Sequence, residues 1–215
     1  MTDPCHGVDE SAGSHGSFAH LPYEVNANKT EGIRDLGVID LGGVREAVLA
    51  IPPQGWDRPD DFEANYNKAG AIRQASHIIF RFSDRREAPI RYSELPLWDA
   101  WKAKLLPLLE QAVRPYGYRK HFFPRVMLAK LPPGSFIAPH IDGDERGFVP
   151  HKVHIPIQSN DKAFFFLEKE RHHLAVGRAY EVNNGARHSV VNGGETDRIH
   201  LIFEYLDAEA QPLGD

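Results

Sequence analysis

The sequence predicts an antiparallel, mainly β sandwich or barrel, and three observations carry that expectation. Short apolar blocks recur through residues 37–205, and each ends in turn chemistry. Gly and Pro number 18 and 16 among 215 residues, punctuation that suits many short strands better than long helices. The last hundred residues show no alternation of strand and helix patterns, and neither a GxGxxG nor a P-loop spacing occurs, which disfavours a doubly wound nucleotide fold.

Taken along the chain, Met1 to His20 mixes Gly, Ser and Asp with His6, His15 and His20 and reads as a mobile arm. A single domain is expected over 21–207, with a tail at 208–215. Expected strands are 37–40, 47–51, 77–82, 125–131, 152–157, 163–167, 179–182 and 198–205, rich in β-branched and aromatic residues. Leu-Pro-Pro-Gly at 131–134, Asp-Gly-Asp at 142–144, Asn-Asn-Gly at 183–185 and Asn-Gly-Gly at 192–194 divide them. The clearest helix spans 96–116, where Leu97, Trp101, Leu105, Leu108 and Val113 recur at helical spacing and Pro115-Tyr116-Gly117 supplies a stop.

Composition narrows the function classes. Hydrophobic residues are 41 % and charged residues 26 %, a globular balance. A net charge of −5 offers no general attraction for phosphate backbones or anionic lipid, so no nucleic-acid partner is expected. Cys5 is the single cysteine, which excludes an internal disulfide and a cysteine-rich zinc site and suits a reducing compartment. The first twenty residues lack a signal-peptide core, and no apolar run is long enough to span a membrane. A soluble cytoplasmic protein without a membrane partner is the expectation.

Side-chain parity gives the first hint of a site. In the 198–205 strand, Arg198, His200, Ile202 and Glu204 share one face, and Ile199, Leu201, Phe203 and Tyr205 share the other. Lys152 and His154 likewise stand together, opposite Val153, Ile155 and Ile157. Such a pattern by itself describes an ordinary sheet with one solvated face. More pointed is His140-Ile-Asp142, two potential ligands on the same side of an extended chain. His188 follows 48 residues later, just past the Asn-Asn-Gly turn, and Arg198 ten residues after that.

Each residue type has a chemical reason. Two neutral imidazoles and one carboxylate cover one face of an octahedral ion and suit Fe(II), leaving three positions open; a structural zinc site closes its shell instead. Arg198 offers a planar fork that grips a carboxylate in a bidentate pair. An HxD pair alone is a weak signal, since such pairs arise by chance or as surface ion pairs. The ordered quartet in a β-rich chain is far more specific.

The sequence resembles the aspartyl/asparaginyl β-hydroxylase family of Fe(II)/2-oxoglutarate-dependent dioxygenases, which includes bacterial hydroxylases of free amino acids. The resemblance rests on Arg125–His140, with its Leu-Pro-Pro-Gly-Ser-Phe-Ile-Ala-Pro-His ending, on His151-Lys-Val-His-Ile-Pro-Ile157, on Gly185-Ala-Arg-His-Ser-Val-Val-Asn192 and on Arg198-Ile-His-Leu-Ile-Phe203. It implies a double-stranded β-helix, a cupin-like jelly roll with flanking N-terminal helices. His140, Asp142 and His188 match the iron ligands, and Arg198 matches the residue that pairs with the 5-carboxylate of 2-oxoglutarate. Lys152 and His154 stand where animal members hold the cosubstrate with an arginine or similar basic residue and a histidine. Those animal members lack the metal carboxylate, so Asp142 aligns this chain with the bacterial amino-acid hydroxylases. It also argues against halogenation, which replaces that carboxylate with a small residue.

By this resemblance the chain is expected to use Fe(II), 2-oxoglutarate and O2 to hydroxylate an unactivated C–H bond of an amino acid, free or in a peptide, with succinate and CO2 as coproducts. Arg81 and Arg125 are charges within apolar strands and are candidates for a substrate carboxylate, or else members of structural ion pairs. His151 is expected at the surface, His172 and His173 at a hairpin tip, Asp144 in a turn, and His200 near the site. Trp98, Trp101 and Phe164–Phe166 are expected in packing roles. Specificity is expected to reside in the loops at 57–75 and 142–150. Three other readings remain open: a nucleic-acid oxygenase of the same superfamily, a cupin-like enzyme working without 2-oxoglutarate, and a non-catalytic jelly roll that senses a metal or dicarboxylate.

Overall fold

The computed structural model describes residues 15–18, 28–58, 74–84, 90–142 and 150–207. Most of the expected arm, the 208–215 tail, Asp144 and most of both specificity loops lie outside the described residues. Thirteen strands are described: β1 (His15–Phe18), β2 (Ile33–Val38), β3 (Ser76–Asp84), β4 (Ile90–Glu94), β5 (His121–Phe122), β6 (Val126–Leu131), β7 (Phe136–His140), β8 (His151–Gln158), β9 (Ala163–Leu167), β10 (Glu170–His172), β11 (Arg178–Val182), β12 (His188–Asn192) and β13 (Arg198–Asp207). Two helices join them, α1 (Val44–Leu49) and α2 (Trp98–Val113). The expected arm contributes β1, which pairs with β4.

The last eight strands, β6 to β13, pass back and forth between two sheets, with β9 and β10 consecutive in the smaller one. The larger sheet runs β1-β4-β3-β6-β13-β8-β11-β2, with β5 also on β13, and the smaller runs β10-β9-β12-β7. This interleaving is the double-stranded β-helix, a jelly roll whose sheets face each other without closing into a barrel through strand pairing. All pairings are antiparallel. Against β8, the register of β13 shifts between Ile199 and His200, at Pro156. A proline has no N–H to give to a ladder and belongs at such an irregularity.

Each face of the larger sheet has its own core. On the outer face, Trp98, Leu105, Leu108, Leu109, Ala112 and Val113 of α2 pack with Phe80, Leu128, Ile155, Leu201 and Phe203. The helix then tightens into a single 3-10 turn over Arg114–Tyr116 and stops at Gly117, whose φ of 71° lies in the left-handed region that glycine adopts without strain. Between the sheets lies a smaller cluster that includes Leu131, Phe165, Leu167, Tyr180, Val182 and Val190.

Three expectations need correction. Residues 47–49 form the end of α1, and Ala50 caps it, rather than a strand over 47–51, because Val44 and Val48 are the buried positions and stand four apart on one helical face; a short apolar run does not distinguish the two periodicities. The first strand expected at 37–40 ends by Val38 and begins at Ile33. The polar face of β13 is not solvated: Arg198, His200, Ile202 and Glu204 are all buried, with Glu204 set against Ser83 and Arg125.

His151 also departs from expectation. It is 1 % exposed, accepts or donates at Nε2 with the Tyr118 hydroxyl (3.0 Å), and bonds Glu181 through Nδ1 at 2.6 Å. Glu181 is also bonded to Arg34 of β2, so this network fastens an edge strand to the jelly roll. Burial pushes the Glu181 carboxyl up, but His151, Lys29 and Arg34 together hold it below the usual carboxylate value. A carboxyl depressed in the folded state adds stability above its unfolded pKa, and that contribution disappears as pH falls through the folded value. Glu181→Ala is expected to lower unfolding free energy by about 3 kcal/mol at pH 7, read from urea denaturation, and the variant should lose less of its remaining stability than the parent between pH 6 and pH 3.

Candidate metal centre

The first ligand pair is local. His140 is the last residue of β7, and the extended chain continues through Ile141 to Asp142, so both side chains fall on one side. The Asp142 N–H donates to the Asn184 carbonyl at 2.9 Å, which ties the carboxylate to the turn between β11 and β12. The third residue arrives through the sheet. β12 runs antiparallel to β7 with His188 directly opposite His140, and cross-strand partners bring their side chains together. The 48-residue gap in sequence thus becomes a neighbouring position.

The three groups converge. The His140 Nε2 lies 3.4 Å and the His188 Nε2 4.0 Å from the same Asp142 oxygen, Oδ1, and one ligand atom from each residue falls within 4.8 Å of the others. Adjacent ligands of an octahedral first-row ion stand about 3 Å apart, so small adjustments place all three on one ion. The rings are prepared for it. The His140 Nδ1 is 2.8 Å from the Ala138 carbonyl and the His188 Nδ1 is 3.0 Å from the Ala186 carbonyl. Because a carbonyl only accepts, each Nδ1 holds the proton and each Nε2 lone pair faces the centre. Phe165 stacks on the His188 ring at 5.5 Å and 11°.

Asp142 divides its two oxygens. Oδ1 faces the histidines, whereas Oδ2 accepts from the Lys152 ammonium. Burial pushes this carboxyl up, but the Lys152 charge, the His140 contact and His188 hold it well below the usual carboxylate value. His188 is pushed down to about 4 by burial, aided by Lys152 and His140 against the pull of Asp142. His140 is opposed by burial too, yet its hydrogen bonds to Asp142 and Ala138 raise it above the ordinary histidine value. The ligand set thus combines a carboxylate held ionised, one imidazole biased towards its neutral form and one that holds a proton more tightly than an ordinary histidine.

The remaining polar residues between the sheets lie beneath these ligands. Arg198 is 3 % exposed. Among the described residues no carboxylate pairs with it, and Nη2 donates to the His200 Nδ1 at 3.1 Å. Burial pushes its guanidinium down to about 9, so it stays charged at neutral pH. His154 is 5 % exposed, and neither of its ring nitrogens has a hydrogen-bond partner among the described residues. Burial first, then the charges of Arg198 and Lys152, drive it well below the ordinary histidine value. A buried guanidinium without an anion, beside a buried imidazole without a partner, is an expensive arrangement unless a ligand completes it.

Two candidates stand apart from this group. The Arg81 guanidinium is held by Glu94 and lies over Trp98 at 4.8 Å and Phe122 at 5.6 Å, so it forms the structural ion pair. Arg125 lies 3.8 Å from Glu204, donates to the Ser83 carbonyl and covers Phe82. Lys152, matched by resemblance to a cosubstrate contact, is engaged by Asp142. That pairing and the Arg198–His200 contact escaped the sequence reading. The shared parity of Arg198 with His200 was the signal available for the second contact, and no local pattern signals the first.

A jelly roll that carries two histidines and a carboxylate at converging strand ends, with a buried arginine between its sheets that meets no carboxylate among the described residues, defines the 2-oxoglutarate-dependent oxygenase class of β enzymes. The sequence profile of the aspartyl/asparaginyl beta-hydroxylase family matches residues 100–207, half of the chain, and the protein belongs to that family. Among solved structures, a 2OG-Fe(II) oxygenase family oxidoreductase from Burkholderia pseudomallei shares the fold at a TM-score of 0.51 and 17 % identity, over 63 % of this chain and 70 % of that one. A viral collagen prolyl hydroxylase from Paramecium Bursaria Chlorella virus-1 aligns at a TM-score of 0.46 and 13 % identity, over 83 % and 97 %. A cupin domain from Bordetella pertussis aligns at 0.31 and 19 % identity, over 38 % and 79 %. No curated protein sequence matches the chain.

Proton competition at His140 gives a direct test of the centre. Since a protonated imidazole cannot ligate and His140 titrates above the ordinary histidine value, affinity for a divalent ion should fall by about tenfold per pH unit below that point. Calorimetric Mn(II) titrations at pH 7.5, 6.5 and 5.5 measure it.

Proposed function

We propose that His140, Asp142 and His188 hold a ferrous ion, and that Arg198 receives the distal carboxylate of 2-oxoglutarate. In this reading the protein hydroxylates an unactivated C–H bond of an amino acid, free or within a peptide. Succinate and CO2 are the coproducts. When bound, the iron, 2-oxoglutarate and O2 supply the oxidant that breaks the C–H bond. The single observation that carries the reading is the buried Arg198, which meets no carboxylate among the described residues, in the same sheet interior as the three converging ligands. A cupin-type centre that works without a dicarboxylate has no use for that charge.

The chain's own residues have separable tasks. The Ala138 and Ala186 carbonyls hold both imidazoles in the ligating tautomer. Lys152 holds Asp142 ionised and turned so that Oδ1 is left for the metal. Arg198 meets a carboxylate with its fork, and His154 supplies an uncharged ring nitrogen beside the same ligand. The apolar walls from Phe165, Leu167 and Val190 keep bulk water away from the reacting group. A substrate of amino-acid type is supported by the family and by Asp142, which aligns the chain with the bacterial amino-acid hydroxylases.

Anaerobic addition of 2-oxoglutarate to the Fe(II)-loaded protein should produce a visible metal-to-ligand absorption band, and its absence would overturn the reading. Arg198→Ala removes a charge-assisted pair worth about 1.5–3 kcal/mol, so the 2-oxoglutarate concentration for half-maximal band intensity should rise by roughly 10- to 150-fold. An unchanged half-saturation would show that another residue anchors the cosubstrate. Succinate release screened over the common amino acids and short peptides then identifies the substrate.

A further inference from the structure

Among the described residues the guanidinium of Arg198 has one hydrogen-bond partner, and it is an unusual one. Buried arginines ordinarily meet carboxylates or carbonyls. Here Nη2 meets the Nδ1 of His200, two residues along the same strand and 3.1 Å away. Because a guanidinium only donates, Nδ1 must be the acceptor, and the proton of the neutral ring sits on Nε2. That Nε2 is buried and has no partner among the described residues. His200 itself is 1 % exposed. A leucine would fill this position without stranding a donor, so the histidine is poorly explained as packing.

The geometry points to His200 as the positioning residue that aims Arg198, and thereby sets the length of dicarboxylate the site accepts. This inference rests on the proposed cosubstrate role of Arg198 and adds to it. Arg198 lies at the start of β13, with His200 next on the same face and His154 beyond, the rings of His154 and His200 meeting edge to face at 5.7 Å and 80°. The register of β13 against β8 shifts between Ile199 and His200, and such irregularities re-aim side chains. An arginine on an unsupported stem samples several rotamers. One whose Nη2 is pinned by an adjacent ring presents its remaining N–H groups in a fixed direction, at a fixed depth below the metal ligands. A diacid bridging that fork and the metal must then have one particular span. His200 serves this purpose only while neutral, and burial, with the Arg198 charge beside it, holds it well below the ordinary histidine value.

Two substitutions separate the ring's nitrogens. In His200→Asn the side-chain oxygen occupies the place of Nδ1 and preserves an acceptor for Arg198. In His200→Gln the amide occupies the place of Nε2 instead, and His200→Leu removes both. Binding of 2-oxoglutarate to Mn(II)-loaded protein is measured by calorimetry, alongside its four-carbon and six-carbon homologues, oxaloacetate and 2-oxoadipate. The Leu and Gln variants should bind 2-oxoglutarate about tenfold or more weakly, with narrowed discrimination among the three lengths, while Asn stays close to the parent on both measures. Equal binding and selectivity in Leu and parent would overturn the assignment, as would equal losses in Asn and Leu. Failure of the parent to bind 2-oxoglutarate would instead overturn the proposed function, and this inference with it.

Discussion

Antiparallel hydrogen bonding between β7 and β12 is the constraint on which the metal centre depends. It sets His140 opposite His188, and the side-chain alternation of an extended chain then places Asp142 on the same side as His140. β12 is held in turn by β9 on its other edge, where His188 pairs with Leu167. The two histidines are thus positioned by backbone ladders, while Asp142, just beyond β7, is tied to the turn between β11 and β12. Such ladders tolerate little drift, because a slip of one residue would turn every side chain to the opposite face.

Charge is managed just as closely. The space between the sheets contains two cations, Lys152 and Arg198, and they are treated differently. Lys152 is neutralised by the second oxygen of Asp142, so the carboxylate stays ionised and oriented at once. Arg198 is met by an uncharged histidine alone among the described residues. One cation completes the resting protein and the other leaves it incomplete, an asymmetry that marks where an anion belongs.

Much of this was legible in the sequence. The HxD pair, the histidine 48 residues on and the arginine ten beyond it could be read because strand periodicity converts small offsets into shared faces. The five strands 125–131, 152–157, 163–167, 179–182 and 198–205 could be read from their β-branched and aromatic content, and the structure keeps each within two residues. What parity could not tell was which face the rest of the chain would cover, so the polar side of β13 looked solvated. His151 misled for the same reason: the outer face of β8 is covered by the chain around Tyr116 and Tyr118, which lies far away in sequence. The pairing of Lys152 with Asp142 joins a strand of the larger sheet to the chain just beyond β7 of the smaller one, and no local pattern encodes that contact.

Both metal-facing rings are oriented by main-chain carbonyls two residues before them, those of Ala138 and Ala186. Many histidine ligands depend on a neighbouring acidic side chain for this service, and a mutation there disturbs the metal. Here the orienting atoms belong to the peptide backbone and survive any substitution. The pocket walls can therefore change in shape and polarity without removing the atoms that orient the metal-facing rings.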